Sequence, residues 1–328
     1  RSSASHQPPA IWIGTHALFQ ERASLPGLGL IVIDEQHRFG VAQRARLRGK
    51  GEAPHVLVMS ATPIPRTLAL TLYGDLDVSL LDERPPGRRP PATWVRTPAE
   101  AEAVWAFAKA KADEGRQVFV VFPTIAGPSG SLKSLESEAA FLRSRFAPHR
   151  VAIAHGLMGP DERDAAMAAF ASGQTPVLIA ATLVEVGIDV PGAAVMIVEH
   201  AERFGLAQLH QLRGRVGRGT EPSWCVLLCR TNSDPARRRL GALARHHDGF
   251  RIAEIDFQAR GAGDLLGIAQ TGRAPFRMGN LLTDAPLLLR ARDIARDLIA
   301  RDPDLATPFA AHAQALLERL DAAASDPA

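Results

Sequence analysis

Several features are scarce or missing in this sequence, and each absence excludes a class of protein. Cysteine occurs only at Cys225 and Cys229, which is too few for a small secreted fold held together by disulfides. No apolar run approaches the roughly 18–20 residues that a membrane-spanning helix needs, and residues 1–9 lack a charged-then-apolar signal segment. Apolar residues still make up 46% of the 328 residues, which is enough for about two domains with hydrophobic cores. We therefore expect a cytoplasmic protein without a membrane partner.

Lysine is also rare. It occurs only at Lys50, Lys109, Lys111 and Lys133, so arginine supplies most of the 38 basic residues that balance 35 acidic ones. One interpretation is a genome-wide composition bias. The other is a use for forked guanidinium groups that bind phosphate. The composition alone does not separate the two.

Short apolar runs recur along the first 230 residues. Runs of this kind are typical of strands buried on both faces of a parallel sheet. Helical patterns separate several of them, and strand–helix–strand alternation predicts an open α/β sheet. The predicted strands are Ala10–Ile13, Leu30–Ile33, Val56–Met59, Val118–Phe122, Val151–Ala154, Val177–Ala180, Ala194–Val198 and Cys225–Cys229; the helical patterns are Ala99–Ala112, Leu135–Phe146 and Asp161–Ala171.

A proline-rich segment divides this α/β region. Glu83–Pro91 contains four prolines and is unsuited to a helix or a central strand, so it predicts a linker. We expect one domain over residues 1–92 and a second over residues 93–232. A basic helical pattern and a glycine-rich segment follow over residues 233–275, and further helices over residues 276–328.

Two adjacent carboxylates, Asp34 and Glu35, directly follow the apolar run Leu30–Ile33. This places them at the carboxyl end of a strand, where ligands bind in open α/β sheets. In nucleotide hydrolases such an Asp holds Mg²⁺ through water, and the neighbouring Glu orients the attacking water. The alternative is a strand that ends in a solvated turn.

Two hydroxyl residues follow the next apolar run. Ser60 and Thr62 flank Ala61, just before Pro63, and alone they would be interpreted as caps of a turn. Combined with Asp34-Glu-Gln-His37, however, Ser60-Ala-Thr62 resembles motifs II and III of superfamily 2 helicases and translocases. The resemblance implies that His37 contacts nucleotide and that Ser60 and Thr62 couple the nucleotide site to DNA.

The segment Gln211–Arg218 matches the Q-x-x-G-R-x-x-R signature of motif VI. Arg215 and Arg218 are three residues apart, so on one helix both would point at a shared anion. A solvated basic helix is the alternative, but Gly214, Gly217 and Gly219 would interrupt it. The resemblance implies that both arginines are arginine fingers to the γ-phosphate, and that Gln211 contacts nucleotide.

Two further segments resemble helicase motifs. Ala181–Pro191 resembles motif V, which implies that Thr182 contacts a DNA phosphate and that Gly187 and Asp189 lie at the ribose and the cleft. Gly14-Thr15-His16 resembles motif Ib, which implies that Thr15 and His16 bind DNA phosphate. The second match is only three residues long.

Longer strings narrow the resemblance to two families of duplex-DNA translocases. Asp34–Val41 and Ala61–Thr67 are similar to both RecG, which remodels replication forks, and Mfd, the transcription-repair coupling factor. Gln36, Tyr73-Gly-Asp-Leu-Asp77 and Glu202–Leu206 favour RecG. The resemblance implies two RecA-like parallel-sheet domains, the first partial and the second complete, followed by a helical hairpin and loop and by C-terminal helices.

The hairpin and loop together resemble the TRG motif shared by these families. Its first helix is predicted over Pro235–His247, and its loop lies within Phe250–Gly272. The resemblance implies that Arg260 and Gln270 couple closure of the nucleotide cleft to stepping along DNA. A simple glycine-rich connector is the alternative.

The resemblance implies ATP and Mg²⁺ as cofactors, with Mg²⁺ held by Asp34 through water. It implies branched double-stranded DNA, meaning forks and Holliday junctions, as the substrate of a monomeric bacterial enzyme at the nucleoid. Single-stranded DNA-binding protein is a further expected partner. Two alternatives are an Mfd-like translocase module that displaces RNA polymerase and a non-catalytic DNA-binding remnant.

One expected element is missing from the sequence. The phosphate-binding loop G-x-x-x-x-G-K-[ST] does not occur, since neither Lys50 nor Lys133 has the required neighbours. The chain also starts at Arg1 rather than at Met. We therefore expect a fragment that begins inside the first RecA-like domain, lacks the N-terminal wedge domain and is inactive by itself.

Overall fold

The computed structural model describes residues 11–20, 25, 27–35, 54–60, 77–79, 81, 83, 87, 89–123, 130–181, 193–217, 219–260 and 284–324. The chain divides into two compact units, residues 1–63 and residues 64–328. None of the helices in the described ranges is long and apolar enough to cross a membrane.

The first unit contains a parallel pair of strands, β1 (Leu30–Ile33) and β2 (His55–Val58). Ile31 and Ile33 point into a small core with Leu25, while Leu30 and Val32 are about half exposed. The strand predicted at Ala10–Ile13 is wrong for residues 11–13, which have no strand partner and carry exposed side chains. A short 3-10 helix, His16–Phe19, follows them.

The second unit is built on a six-stranded sheet in which every pairing is parallel. The strand order is β3-β8-β7-β4-β6-β5. The strands are β3 (Ala92–Arg96), β4 (Gln117–Phe122), β5 (Val151–Ala154), β6 (Val177–Ala181), β7 (Ala193–Val198) and β8 (Trp224–Leu228). Five of these confirm predicted strands to within one residue.

The strand β3 is the one that the apolar runs do not predict. It lies at the edge of the sheet and pairs with β8, so most of its side chains are only partly buried. An edge strand needs no continuous apolar run, and Ala92-Thr-Trp-Val-Arg96 contains two polar residues.

In the residues that the structure describes, eight α-helices accompany the strands. They are α1 (Ala101–Asp113), α2 (Gly130–Phe146), α3 (Pro160–Ala171), α4 (Leu206–Arg213), α5 (Asp234–Arg245), α6 (Gly249–Arg260), α7 (Ala285–Arg301) and α8 (Pro308–Ala324). The first three confirm the predicted helical patterns. A buried cluster lies on each face of the sheet: one includes α1 and α2, and the other includes α4 and α5.

Two expectations about these helices are corrected. Arg215 does not lie on a helix, because α4 ends at Arg213 and the chain turns at Gly214. The residues Asp256–Arg260, expected in the loop of the hairpin motif, are helical and form the end of α6. Apolar residues such as Ile252 and Phe257 are buried along α6. This burial stabilises the helix although glycines, which disfavour helices, follow it directly.

Candidate functional site

Three of the predicted motif II and motif III residues lie at one edge of the first unit. Asp34 and Glu35 directly follow β1, and Ser60 follows β2. Because the strands are parallel with Ile33 opposite Val58, both segments leave the sheet side by side. The N–H of Met59 donates to the carbonyl of Ile33 over 2.7 Å. The structure therefore places Asp34, Glu35 and Ser60 at the ends of two neighbouring strands.

The backbone at Glu35 is strained. Its φ is +51°, in the left-handed region that costs a non-glycine residue energy and that recurs at functional sites. The Glu35 N–H donates to Asp34 Oδ1 over 2.8 Å, so the turn and the first carboxylate hold each other in place. Asp34 is exposed and Glu35 is partly buried, so the two consecutive carboxylates lie in different surroundings.

The carboxylate at this edge is chemically suited to binding Mg²⁺. Asp34 is exposed at the strand end, and carboxylate oxygen is a ligand that Mg²⁺ prefers. In the part of the chain that the structure describes, no group of three His, Cys, Asp or Glu side chains could hold a metal ion. Mg²⁺ usually keeps several waters and binds one or two carboxylates together with substrate phosphates, and Asp34 is suited to that arrangement.

Two other predicted site residues, Thr15 and Arg260, lie at the ends of helices. Thr15 precedes the 3-10 helix that begins at His16, and its carbonyl accepts the N–H of Leu18 over 3.1 Å. Arg260 is the last residue of α6; the side chains of His16 and Arg260 are outside the description. The predicted site residues that lie outside the described residues are His37, Thr62, Thr182, Gly187, Asp189, Arg218 and Gln270.

The motif VI segment lies in the second unit. Gln211 is half-buried on α4, and half-buried Arg215 lies in the turn that follows. The N–H of Arg215 donates to Leu212 O over 2.9 Å, and the N–H of Gly217 donates to Ala193 O over 3.4 Å. Since Ala193 is the first residue of β7, the segment lies at the amino end of the sheet. Arg215 is thus held in a defined turn instead of on a helix face.

A buried ion pair that no sequence motif indicates lies at the opposite end of the sheet. Glu199, which follows β7, is 3% exposed, and its oxygens accept hydrogen bonds from Arg230 Nη2 at 2.7 Å and Nε at 2.9 Å. Hydrogen bonding to this carboxylate raises the pKa of the Arg230 guanidinium. The pair joins the carboxyl ends of β7 and β8. No local pattern in the sequence points to it.

The helical hairpin α5–α6 packs against α4. Arg239 of α5 donates through Nη2 to the carbonyl of Glu202 over 2.5 Å. The carboxylate of Glu202 in turn accepts the N–H of Arg230 over 3.1 Å. The hairpin is therefore attached to the carboxyl end of the sheet as well as to the motif VI helix.

Comparisons with known proteins agree with this architecture. Residues 101–220 match the model of the helicase conserved C-terminal domain. Residues 246–324 match the model of ATP-dependent DNA helicase RecG, domain 3, C-terminal. The chain is 48% identical over 295 residues to ATP-dependent DNA helicase RecG of Synechocystis, covering 89% of this chain. It is 46% identical over 316 residues to the Escherichia coli K12 protein of that name, covering 94% of this chain. The chain belongs to the RecG family.

Solved structures agree with the family. A structure of RecG bound to a three-way DNA junction matches with a TM-score of 0.66 at 43% identity, over 84% of this chain and 35% of that one. Yeast Dbp5 bound to RNA and ADP BeF3 matches with a TM-score of 0.52 at 16% identity, over 75% of this chain and 66% of that one, which reflects the shared fold. The chain spans 36% of the Synechocystis RecG and 44% of the E. coli RecG.

These matches also bear on the choice between the two translocase families. The domain model that matches α6, α7 and α8 is specific to RecG. The Mfd-like alternative is therefore not favoured, and the resemblance to RecG is confirmed.

Proposed function

We propose that a protein containing this chain is an ATP-dependent translocase on double-stranded DNA that remodels stalled forks and Holliday junctions. One observation supports the proposal above all. The Asp34, Glu35 and Ser60 edge lies in one α/β unit, the motif VI turn packed beside a helical hairpin lies in the other, and both occur in a chain of the RecG family.

Each half has a distinct task in this proposal. Asp34 holds Mg²⁺ through water and Glu35 orients the attacking water, while Arg215 and Arg218 stabilise the charge that develops on the transferred phosphoryl group. ATP with Mg²⁺ supplies the reacting phosphoryl group when bound. A charge-stabilising arginine of this kind is worth about 10³–10⁵ in rate.

The remaining predicted residues keep their proposed roles. His37, Gln211, Gly187 and Asp189 contact nucleotide. Thr15, His16 and Thr182 contact DNA phosphate. The proposed coupling residues are Ser60, Thr62, Arg260 and Gln270. Single-stranded DNA-binding protein is the further proposed partner of a monomeric enzyme at the bacterial nucleoid.

The experiment compares three full-length proteins: the unchanged protein, Arg215→Ala, and Arg143→Ala, which alters an exposed arginine of α2. ATP hydrolysis and unwinding are measured on a three-way junction and on a linear duplex of equal length. We expect junction-stimulated hydrolysis in the unchanged protein and in Arg143→Ala, and a fall of about 10³-fold or more in Arg215→Ala. DNA affinity should be similar in all three.

Two results would replace the proposal. An unchanged full-length protein that binds DNA without hydrolysing ATP would support the non-catalytic remnant. A protein that releases stalled RNA polymerase from DNA but leaves junctions intact would support the transcription-repair alternative.

A further inference from the structure

The side chain of Arg213 is buried at the junction of α4 and the hairpin. The residue is only 3% exposed, and it is the last residue of α4, two positions before Arg215. Burying a cation is costly unless its donors are satisfied. Arg213 occupies a variable position of the motif VI signature, so the signature itself assigns it no task.

The guanidinium of Arg213 reaches across to the end of α5. Its Nη1 donates to the carbonyl of Leu243 over 2.6 Å and to the carbonyl of His246 over 2.9 Å. Its Nη2 lies 3.0 Å from His210 Nδ1 on α4; Nη2 is the donor, since a guanidinium cannot accept. One planar group thus contacts both helices.

The carbonyls that it binds are those that a helix end leaves available. Because α5 ends at Arg245, the carbonyl of Leu243 in its last turn lacks an intrahelical donor, and His246 is the extended residue that directly follows the helix. Both carbonyls lie at the negative end of the helix dipole, where a cation is favourable. The two prongs of the guanidinium serve the two helices, Nη1 the carbonyls at the end of α5 and Nη2 the imidazole of His210 on α4, whereas a lysine presents a single point charge.

Apolar packing alone would leave the contact between α4 and α5 less precisely defined. Leu209 and Leu212 of α4 share a buried cluster with Leu240 and Leu243 of α5. Contacts of this kind are non-directional, so they tolerate small sliding movements. Hydrogen bonds to two fixed carbonyls are directional and define one register between the helices.

We propose that Arg213 is a positioning residue that fixes the hairpin α5–α6 in register with the motif VI turn. A displacement of the turn at Arg215 is then passed to α5 and α6, and through them to Arg260. The inference rests on the proposed function, in which Arg215 responds to nucleotide and the hairpin drives stepping. Arg213 itself contacts neither nucleotide nor DNA in this role.

The test uses the full-length protein with Arg213→Met, which keeps an apolar stem of similar length but has no donors. Replacing a buried cation by an apolar side chain also removes a desolvation cost, so the variant should fold. Arg213→Lys is the partial rescue, because lysine keeps the positive charge and one nitrogen that can donate hydrogen bonds. Arg237→Met is the matched control: Arg237 lies on the exposed side of α5 and pairs with Asp234 three residues earlier.

Three quantities are measured for each variant: melting temperature, junction-stimulated ATP turnover, and base pairs unwound per ATP. For Arg213→Met we expect turnover within about threefold of the unchanged protein, and unwinding per ATP lower by about tenfold or more. Arg213→Lys should fall between them, and Arg237→Met should match the unchanged protein. A simple structural role would lower turnover and unwinding together.

Unwinding per ATP that is unchanged in a folded Arg213→Met protein would overturn the proposal. So would a parallel loss of turnover and unwinding. If Arg213→Met fails to fold, Arg213→Lys with the same three measurements decides the matter. If the unchanged protein shows no ATP-driven unwinding, the proposed function fails instead. Amide exchange of the 328-residue chain then tests the register separately, since exchange at the end of α5 must rise in Arg213→Lys and not in Arg237→Met.

Discussion

A methyl group placed on Gly217 would overlap the hydroxyl oxygen of Ser223. Gly217 has φ +70°, and the same methyl would lie 3.1 Å from Ser223 Cβ and 3.3 Å from Pro91 Cγ. Pro91 ends the predicted linker, and Ser223 precedes β8. The motif VI turn, the start of β8 and the end of the linker therefore meet at a point that only glycine fits.

We expect Gly217→Ala to destabilise the second unit by roughly 2–4 kcal/mol, because left-handed strain and overpacking add. Gly219→Ala is the control, since a Cβ there meets nothing within 4 Å. Urea unfolding of the 328-residue chain measures both. Adding Ser223→Ala to Gly217→Ala should recover part of the loss by removing the nearest atom. Equal stability of Gly217→Ala and Gly219→Ala would contradict this account.

The buried pair of Glu199 and Arg230 gives a second prediction. Arg230→Met strands a carboxylate that is 3% exposed, so we expect a loss of about 2–3 kcal/mol. This is below the 3–5 kcal/mol of a fully buried pair, because the Arg230 side chain is 31% exposed. Adding Glu199→Met should restore part of the stability, since the unpaired charge is then gone. Chemical denaturation provides the values.

The comparison for that pair is the exposed ion pair of Arg116 and Glu221, 2.7 Å apart. Its rupture by Glu221→Gln should cost no more than about 1 kcal/mol, as is usual for surface pairs. A cost for Arg230→Met no larger than that for Glu221→Gln would show that Glu199 tolerates the loss of its partner.

The third prediction concerns acid stability. Asp113 at the end of α1 lies 2.6 Å from His149 Nε2 and 3.1 Å from Lys109 Nζ. The His149 hydrogen bond, followed by that of Lys109, lowers the pKa of the Asp113 carboxyl below its usual 3.8. A lowered folded pKa means that the stabilisation is fully present above pH 3.8 and is lost as pH falls through the folded value.

Unfolding midpoints measured from neutral pH into acid test this sign. Asp113→Asn should be less stable than the unchanged chain at neutral pH, and the difference should shrink on acidification. His149→Gln should reduce both the difference and its dependence on pH, because it removes the main cause of the shift. If the stability difference between the unchanged chain and Asp113→Asn grew as the pH fell, the pKa of Asp113 would be raised rather than lowered in the folded state.

The fourth prediction concerns the 328-residue chain itself. Its sequence has no G-x-x-x-x-G-K-[ST] loop, and in the P-loop NTPases that loop and its lysine cradle the β- and γ-phosphates. We expect no DNA-stimulated phosphate release by the purified chain. Release at a rate that Asp34→Asn abolishes would mean that another part of the chain holds the phosphates.

The buried strands could be predicted because each is a short continuous apolar run. Val118–Phe122 and Val177–Ala180 lie in the sheet as expected, since a parallel sheet covered on both faces leaves no polar position in its strands. The edge strand Ala92–Arg96 could not be predicted in this way, because it contains two polar residues and no continuous apolar run. The sequence does not predict a helix at Asp256–Arg260, because glycines follow these residues; burial against α4 and α5 stabilises the helix there.

The sequence by itself determined the residue types at Asp34, Glu35 and Arg215, and the place of the two carboxylates directly after an apolar strand. It did so because a motif is a local pattern whose spacing the chain preserves. The tertiary structure alone decided which distant groups meet: Arg213 and Leu243 are 30 residues apart, and Glu199 and Arg230 are 31 apart. Their contacts depend on the crossing of helices and the order of strands. The tertiary arrangement therefore decides which group pairs with a buried charge, and the spacing of residues in the sequence does not indicate that pairing.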